Sequence, residues 1–302
     1  MKLLCIGLIF FLLLIGYFIF ENKKLEVSNY KIYQTKLPQE LDGFRIALLT
    51  DLHNNQYGKD NTKLLQRLKS LKPDIVCLSG DLITANKLQK AQKGLPFILE
   101  LAKNYPVYYS LGNHEEKWKQ FELSGRQTKL SFEEFKIQLA KAGVFFLDNT
   151  SVTLQKGEAI ITITGLTLPL SKKKKRGKRP NLSKEELNGL IGTAFHGGYQ
   201  ILLAHMPAYF KEYTEWGADL VLSGHVHGGI VILPKLGGVI SPQYELFPVY
   251  DYGCFQEKES RLILSRGLGT HTIPIRIFNR PELVGIELKR QKRSIEGEKL
   301  AD

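Results

Sequence analysis

Cysteine is scarce in this chain: among 302 residues there are only Cys5, Cys77 and Cys254. None stands in a CxxC pair, so neither a disulfide framework nor a zinc–thiolate site is on offer. Internal repeats are missing, and no second core demands a domain boundary. Charge is also scarce outside two short runs. The net charge is +12, but Lys172, Lys173, Lys174, Lys175, Arg176, Lys178 and Arg179 carry seven of those charges, and KRQKR at 289–293 carries four. The body of the chain is nearly neutral, which counts against a nucleic-acid partner. Beside a membrane anchor, the run Lys172–Arg179 is expected to meet anionic lipid headgroups; a solvated loop with no partner is the alternative.

One long apolar run is present, LLCIGLIFFLLLIGYFIF from Leu3 to Phe20, without charge or proline. As a helix its eighteen residues rise about 27 Å, close to the hydrocarbon thickness of a bilayer. A secretory signal would have a shorter apolar core followed by a small-x-small cleavage site. This run ends in Tyr-Phe-Ile-Phe-Glu-Asn, which has no such site, so an uncleaved single-pass anchor is expected. Lys2 before the span nearly balances Lys23 and Lys24 after it. An N-terminal anchor leaves its few leading residues in the cytoplasm, which places the domain on the extracytoplasmic side. The expected organisation is an anchor over residues 1–24, one domain over 25–290 and a basic, polar tail over 291–302.

From Phe44 onward apolar runs alternate with amphipathic segments. FRIALLT (44–50), DIVCLSG (74–80), VYYSLG (107–112), YQILLA (199–204) and ADLVLSG (218–224) read as buried strands. Residues 61–71, 131–143 and 182–191 read as helices, the last two opened by the capping pairs Ser131/Glu134 and Ser183/Glu186. KLQKAQKGLPFILELAKN (87–104) reads as helix interrupted at Gly94 and Pro96. The stretch 21–40 reads as a polar connector with a strand-like core, and the C-terminal third as β-rich. Strands alternating early with helices and running together late predict an α/β fold, a four-layer α-β-β-α sandwich.

The five buried strands share one feature. Each delivers metal-type ligands at its carboxyl end: Asp51 and His53; Asp81; Asn113 and His114; His205; His225 and His227. This edge of an α/β sheet is where sites are built. In extended chain, residues two apart point the same way, which would aim Asp51 with His53 and His225 with His227. Gly80, Gly112 and Gly224 stand immediately before Asp81, Asn113 and His225, permitting sharp turns and close backbone approach. One such residue is ordinarily a cap or a loop residue; five of the seven histidines at these ends make coincidence the poorer explanation. Imidazole mixed with carboxylate and amide oxygen suits manganese first, with zinc, iron or nickel as alternatives. So many candidate ligands exceed one ion, and two divalent ions sharing a carboxylate are the economical arrangement.

DLH, GD, GNHE, the lone His205 and GHVHGG, in this order, resemble the calcineurin-like metallophosphoesterases over roughly residues 40–290. The tail SRGLGTHTIPIRIFNRPEL (265–283) and the anchor are similar to a membrane-associated bacterial branch, that of YkuE and YaeI, which includes UDP-2,3-diacylglucosamine hydrolases. The resemblance implies two mixed sheets flanked by helices. It implies one metal on Asp51, His53, Asp81 and His227, and another on Asp81, Asn113, His205 and His225, with Asp81 bridging. It implies His114 beside the substrate phosphate, and a phosphodiester or pyrophosphate bond attacked by metal-bound hydroxide. A lipid-linked phosphate is the expected substrate. The alternatives are a phosphatase or nuclease acting on soluble nucleotides or nucleic acid, and a non-catalytic binding protein on the same fold. His196 and His271 match no motif and are left as structural.

Overall fold

The computed structural model describes residues 2–85, 91–125, 128–173, 178–195, 197–242, 244–270 and 275–291. His196, His271 and nearly all of the 291–302 tail lie outside them.

The apolar run forms helix α1 (Lys2–Lys23), long and apolar enough to cross a membrane, with most of its surface exposed. The connector that follows is strand β1 (Glu26–Gln34). The alternating region supplies β2 (Arg45–Leu49), α2 (Thr62–Leu71), β3 (Ile75–Ser79), α3 (Ala91–Ala102), β4 (Val107–Ser110), α4 (Asn113–Leu123), α5 (Phe132–Lys141) and β5 (Phe145–Leu147). Next come β6 (Thr150–Lys156), β7 (Ala159–Leu166), α6 (Lys184–Ile191), β8 (Tyr199–Ala204), α7 (Phe210–Trp216) and β9 (Leu220–Ser223). A small ribbon, β10 (Ile232–Leu233) with β11 (Gly237–Gly238), precedes β12 (Gly253–Glu257), β13 (Ser260–Leu264) and β14 (Glu282–Arg290).

Two six-stranded mixed sheets result, in the orders β1-β14-β2-β3-β4-β5 and β12-β13-β9-β8-β7-β6. β2 through β5 run parallel, as do β13, β9, β8 and β7. Strand alternation separates three apolar layers. Ala47 and Leu49 pack with α2 residues Leu64 and Leu68 on one outer face, while Ile46 and Leu48 point between the sheets. In β8, Ile201 and Leu203 meet them there, and Leu202 turns outward to Phe210 and Tyr213 of α7. Strands buried on both faces need continuous apolar sequence, which is why these runs do not alternate with polar residues. The result is the four-layer sandwich expected from the sequence.

Three local expectations change. α3 continues through Gly94 and Pro96 rather than breaking there. Gly94 lies against Ile83 and Asn54, where a Cβ would make ordinary van der Waals contacts at 3.5 and 3.7 Å. Within the C-terminal third read as β-rich, the described residues 275–278 contribute one isolated bridge, Val231 to Ile277, and no strand. Helix α4, unmarked by any apolar period, begins at Asn113 itself.

Candidate metal centre

The sheets bring the carboxyl ends of β2, β3, β4, β8 and β9 to one edge. Two hydroxyls tie the sheets together there: Ser79 Oγ donates to the Leu222 carbonyl at 2.7 Å, and Ser110 Oγ to the Leu203 carbonyl at 3.0 Å. A Cβ on Gly112 would overlap the Asp81 carboxylate, and one on Gly224 would overlap that of Asp51. Glycine at these two positions lets the backbone approach the acids closely.

All seven predicted ligands and His114 meet at this edge and are buried. The groups close enough to hold an ion are Asp51 with His53 and His227, Asp81 with His205 and His225, and His53 with Asp81 and His114. His227 Nε2 lies 3.3 Å from Asp51 Oδ1 and 3.2 Å from His53 Nε2. His205 Nε2 lies 3.1 Å from Asp81 Oδ2 and 3.7 Å from Asp51 Oδ1. The two histidines of GHVHGG thus fall into different groups.

The means of convergence differs from the extended-chain expectation. Asp51, His53, Asp81, His225 and His227 have φ of 51°, 50°, 55°, 76° and 55°, in the left-handed region. A pleated strand would carry these ligands away along its own axis; left-handed residues turn each chain back over the sheet edge. Such conformations cost of order 1–3 kcal/mol each and persist where surrounding contacts over-determine them. At Asp51 those contacts are visible: its Oδ2 accepts from Thr50 Oγ1 at 2.6 Å and from the His225 N–H at 3.0 Å.

Hydrogen bonds also sort the imidazoles. His205 Nδ1 lies 2.8 Å from the Ser79 carbonyl, and His227 Nδ1 lies 3.2 Å from that of Gly269. A carbonyl only accepts, so each Nδ1 carries a proton and each Nε2 is the atom left to meet an ion in the site. His114 is the reverse. Its Nδ1 accepts the Ala85 N–H at 3.3 Å, so the proton sits on Nε2, 4.0 Å from Asp81 Oδ2. In this tautomer His114 presents an N–H donor toward the site.

Electrostatics point to cations. Burial opposes the charge of Asp51 and Asp81, yet neighbouring imidazoles hold both acids well below the usual carboxylate range. Burial pushes His205 down, but Asp81 and Asp51 override it and raise its pKa to about 10, so without an ion its Nε2 holds a second proton toward Asp81 that a cation there would displace. Asn113 Oδ1 is buried without a hydrogen-bond partner among the described residues. Buried polar atoms are rarely left so. Two ionised acids, imidazole nitrogens and an orphaned amide oxygen suit divalent metal ions.

Several supporting residues gave no sequence signal. Glu115 is fully buried and accepts from the N–H groups of Asp81 (2.8 Å), Gly112 (3.0 Å) and Ile83 (3.0 Å) and from the Tyr109 hydroxyl (2.8 Å). It stands in GNHE beside two candidate residues, and that adjacency was the only available hint. The tail supplies others. Asn279 Nδ2 donates to the carbonyls of His227, at 2.8 Å, and Gly229. Arg276 donates to the carbonyls of Arg266 (2.9 Å) and Gly267 (3.3 Å). Asn279→Ala strands the His227 carbonyl and frees its loop; metal affinity should fall by about 10–100-fold, as for other supporting partners of metal ligands. Calorimetric titration with Mn²⁺ checks this, and unchanged affinity would show the loop to be held otherwise.

Comparison with known proteins agrees with this geometry. Residues 44–229 match the calcineurin-like phosphoesterase family model. The metallophosphoesterase YkuE of Bacillus subtilis is 27% identical over 273 residues, covering 89% of this chain and 87% of that one. The UDP-2,3-diacylglucosamine pyrophosphatase LpxG of Chlamydia muridarum is 26% identical over 301 residues, covering 82% and 85%. A transmembrane protein with a metallophosphoesterase domain from Danio rerio is 26% identical, covering 88% of this chain and 57% of its own. With buried acids, imidazoles and a donor histidine converging on one sheet edge, the chain belongs to the calcineurin-like metallophosphoesterases, a family of hydrolases.

Proposed function

We propose that this chain is a dinuclear phosphohydrolase that cleaves a phosphodiester or pyrophosphate bond in a membrane-associated, lipid-linked substrate, with α1 as its anchor. One metal ion is assigned to Asp51, His53, Asp81 and His227, and the other to Asp81, Asn113, His205 and His225. Divalent ions, manganese foremost, would supply positive charge for the transferring phosphoryl group and lower the pKa of the attacking water. The chain does the rest. Asp81 spans the two ligand groups, with Oδ1 held by the His114 N–H at 2.8 Å and Oδ2 turned toward His205. His114 Nε2–H stabilises charge on the phosphate and passes its proton to the leaving oxygen. The observation that carries this reading is the convergence of buried acids and imidazoles into groups able to hold an ion, with the orphaned Asn113 Oδ1 beside them.

Two features support a lipid-linked substrate. The end of α1 docks on the tail that braces the site: the Tyr17 hydroxyl accepts the Phe278 N–H at 3.2 Å, and Glu21 pairs with Arg280 at 3.2 Å. Asn279, between those two contacts, holds the His227 loop. A cavity of about 310 Å³ reaches His225 between Met206, Tyr209 and Tyr250. Val249 lines this cavity and is exposed, as are Leu246 and Phe247 just before it in the chain. LpxG, a similar chain, bears the name of a pyrophosphatase acting on a diacylated sugar nucleotide.

Full-length protein in detergent with Mn²⁺ should hydrolyse bis-p-nitrophenyl phosphate, and EDTA should abolish this. His114→Ala should lower kcat by about 10²–10³-fold while bound metal stays constant. Activity unmoved by the change rejects the role of His114. UDP-2,3-diacylglucosamine should be cleaved faster than cyclic nucleotides; the reverse order rejects a lipid substrate.

A further inference from the structure

The basic run expected to meet lipid is engaged within the fold where it is described: Lys172 pairs with Glu186 at 2.7 Å and Arg179 with Glu212 at 2.8 Å. Lys174, Lys175 and Arg176 lie outside the described residues. A different surface turns apolar side chains outward. From Gly228 to Tyr250 only Lys235 and Glu245 are charged. Leu233, Leu236, Leu246, Phe247 and Val249 are exposed in this stretch, and so is Phe278. The other exposed large apolar residues beyond α1, among them Leu123 on α4 and Ile137 on α5, stand on separate elements. Single exposed leucines need no explanation, but a gathering of them marks a contact with lipid or with another protein.

Main-chain hydrogen bonds join this stretch to the segment that α1 touches. Ile277 bridges Val231, and its carbonyl accepts the Ile232 N–H at 3.0 Å. The Val239 N–H donates to the Val231 carbonyl at 2.8 Å, and the Phe247 N–H to that of Val239 at 2.9 Å. Phe247 is thus three strand spacings from Ile277, about 14 Å to the side. Phe278, the next residue, is held by α1: the Tyr17 ring meets its ring edge-on with centroids 6.3 Å apart, and the Tyr17 hydroxyl accepts its N–H. Tyr17 precedes Phe20, the end of the apolar run, by about 4–5 Å along the helix axis. A bilayer that covers α1 as far as Phe20 therefore reaches Phe278. Tyrosine at that level, with its ring in apolar surroundings and its hydroxyl on a polar group, is an interfacial anchor.

We propose that the ribbon from Ile230 to Val249, together with Phe278, seats in the headgroup–acyl boundary of the bilayer that α1 spans. The inference rests on reading α1 as a membrane span and says how the domain lies against that membrane. An apolar face of this kind buries about 5–10 Å into the boundary. Lys235, at the turn of the ribbon, and Lys211, on the cavity wall, are exposed and suit anionic headgroups,. Glu245, Pro248, Val249 and Tyr250 line the cavity that reaches His225, so the cavity opens beside the seated ribbon. A lipid-linked phosphate can then enter it while its acyl chains stay in the bilayer.

The test places a fluorescent reporter in the ribbon of the full-length protein, reconstituted in vesicles of phosphatidylcholine and phosphatidylglycerol. The native Trp118 and Trp216 are buried in the fold and supply a constant background. Leu246→Trp should emit further to the blue than in detergent-free buffer peptides, and brominated phosphatidylcholine should quench about half of its added emission, as burial in the boundary requires. Leu123→Trp, exposed on α4, should not be quenched. Adding Leu236→Glu and Phe247→Glu to the Leu246→Trp protein should abolish its quenching, because carboxylates are expelled from the boundary. Equal quenching at positions 246 and 123, or quenching that survives the two glutamates, overturns the proposal. A blue-shifted Leu246→Trp emission that brominated lipid does not quench overturns it as well and assigns the face to a second copy of the chain. In each of these cases wild type still floats with the vesicles, and the reading of α1 stands. Wild type that does not float with them overturns both.

Discussion

Asp81→Asn should leave the protein folded, depleted of metal and slower by roughly 10³-fold or more on bis-p-nitrophenyl phosphate, since the position serves both proposed ions. The two carboxylate oxygens have different tasks. Oδ1 accepts the His114 N–H at the start of α4, and an amide oxygen can still do that. Oδ2 faces His205 at 3.1 Å and depends on charge, which the amide lacks. The charge of Asp81 is also the leading influence holding His205 above its ordinary range against burial, so the variant should bring that imidazole back down. Elemental analysis, thermal melting and turnover together decide the matter. An Asp81→Asn protein with unchanged metal content would remove Asp81 from the centre altogether.

Glu115→Ala should be the most destabilising change near the site. Its carboxylate answers three backbone N–H groups and the Tyr109 hydroxyl in a dry interior. Each donor left unanswered costs about 1–3 kcal/mol, so a loss on the order of 4 kcal/mol or more is expected. For a domain of this size that corresponds to a fall in Tm of about 10 °C. Glu115→Gln keeps one acceptor oxygen and should lose less, which keeps the idea testable where the alanine variant does not fold. Burial first, then repulsion from Asp81, pushes Glu115 up to about 7. The unfolded carboxyl therefore releases its proton first, and the contribution of Glu115 declines as pH rises from about 4.5 to 7. Metal-free wild type should lose stability relative to Glu115→Gln across that window. Metal beside Asp81 offsets the repulsion and should narrow the difference. A difference independent of pH would show that Glu115 stays ionised throughout.

The candidate site was legible because its chemistry stands at strand ends. A buried strand announces itself as an apolar run, and the first polar residues after it must lie at the sheet edge. That argument found Asp51, His53, Asp81, Asn113, His114, His205, His225 and His227 without knowledge of how the strands pair. It failed where no period marks the element. Helix α4 opens on Asn113 with NHEEKWKQFEL, a sequence too polar to show a helical stripe. Glu115 reads as a surface acid because nothing local shows that three loops will close over it. Asn279 and Arg276 sit in a segment without regular structure, and their partners are backbone carbonyls 52 and 10 residues away in the chain, which no local pattern marks.

By itself the sequence determined the sandwich, the apolar helix at the start, and which residues could ligate metal, because apolar periodicity and residue chemistry are local properties. Only the tertiary structure decided how those residues are aimed. Left-handed turns at five ligands, carbonyls that hold the His205 and His227 protons on Nδ1, and the amide that reverses His114 all come from distant segments. The same holds for the described members of the basic run: Glu186, Glu212 and Tyr209 reach Lys172 and Arg179 from α6, α7 and the turn before α7, and engage them within the fold. A side chain's type is written in the chain, but the direction of its lone pair is set by whatever packs behind it.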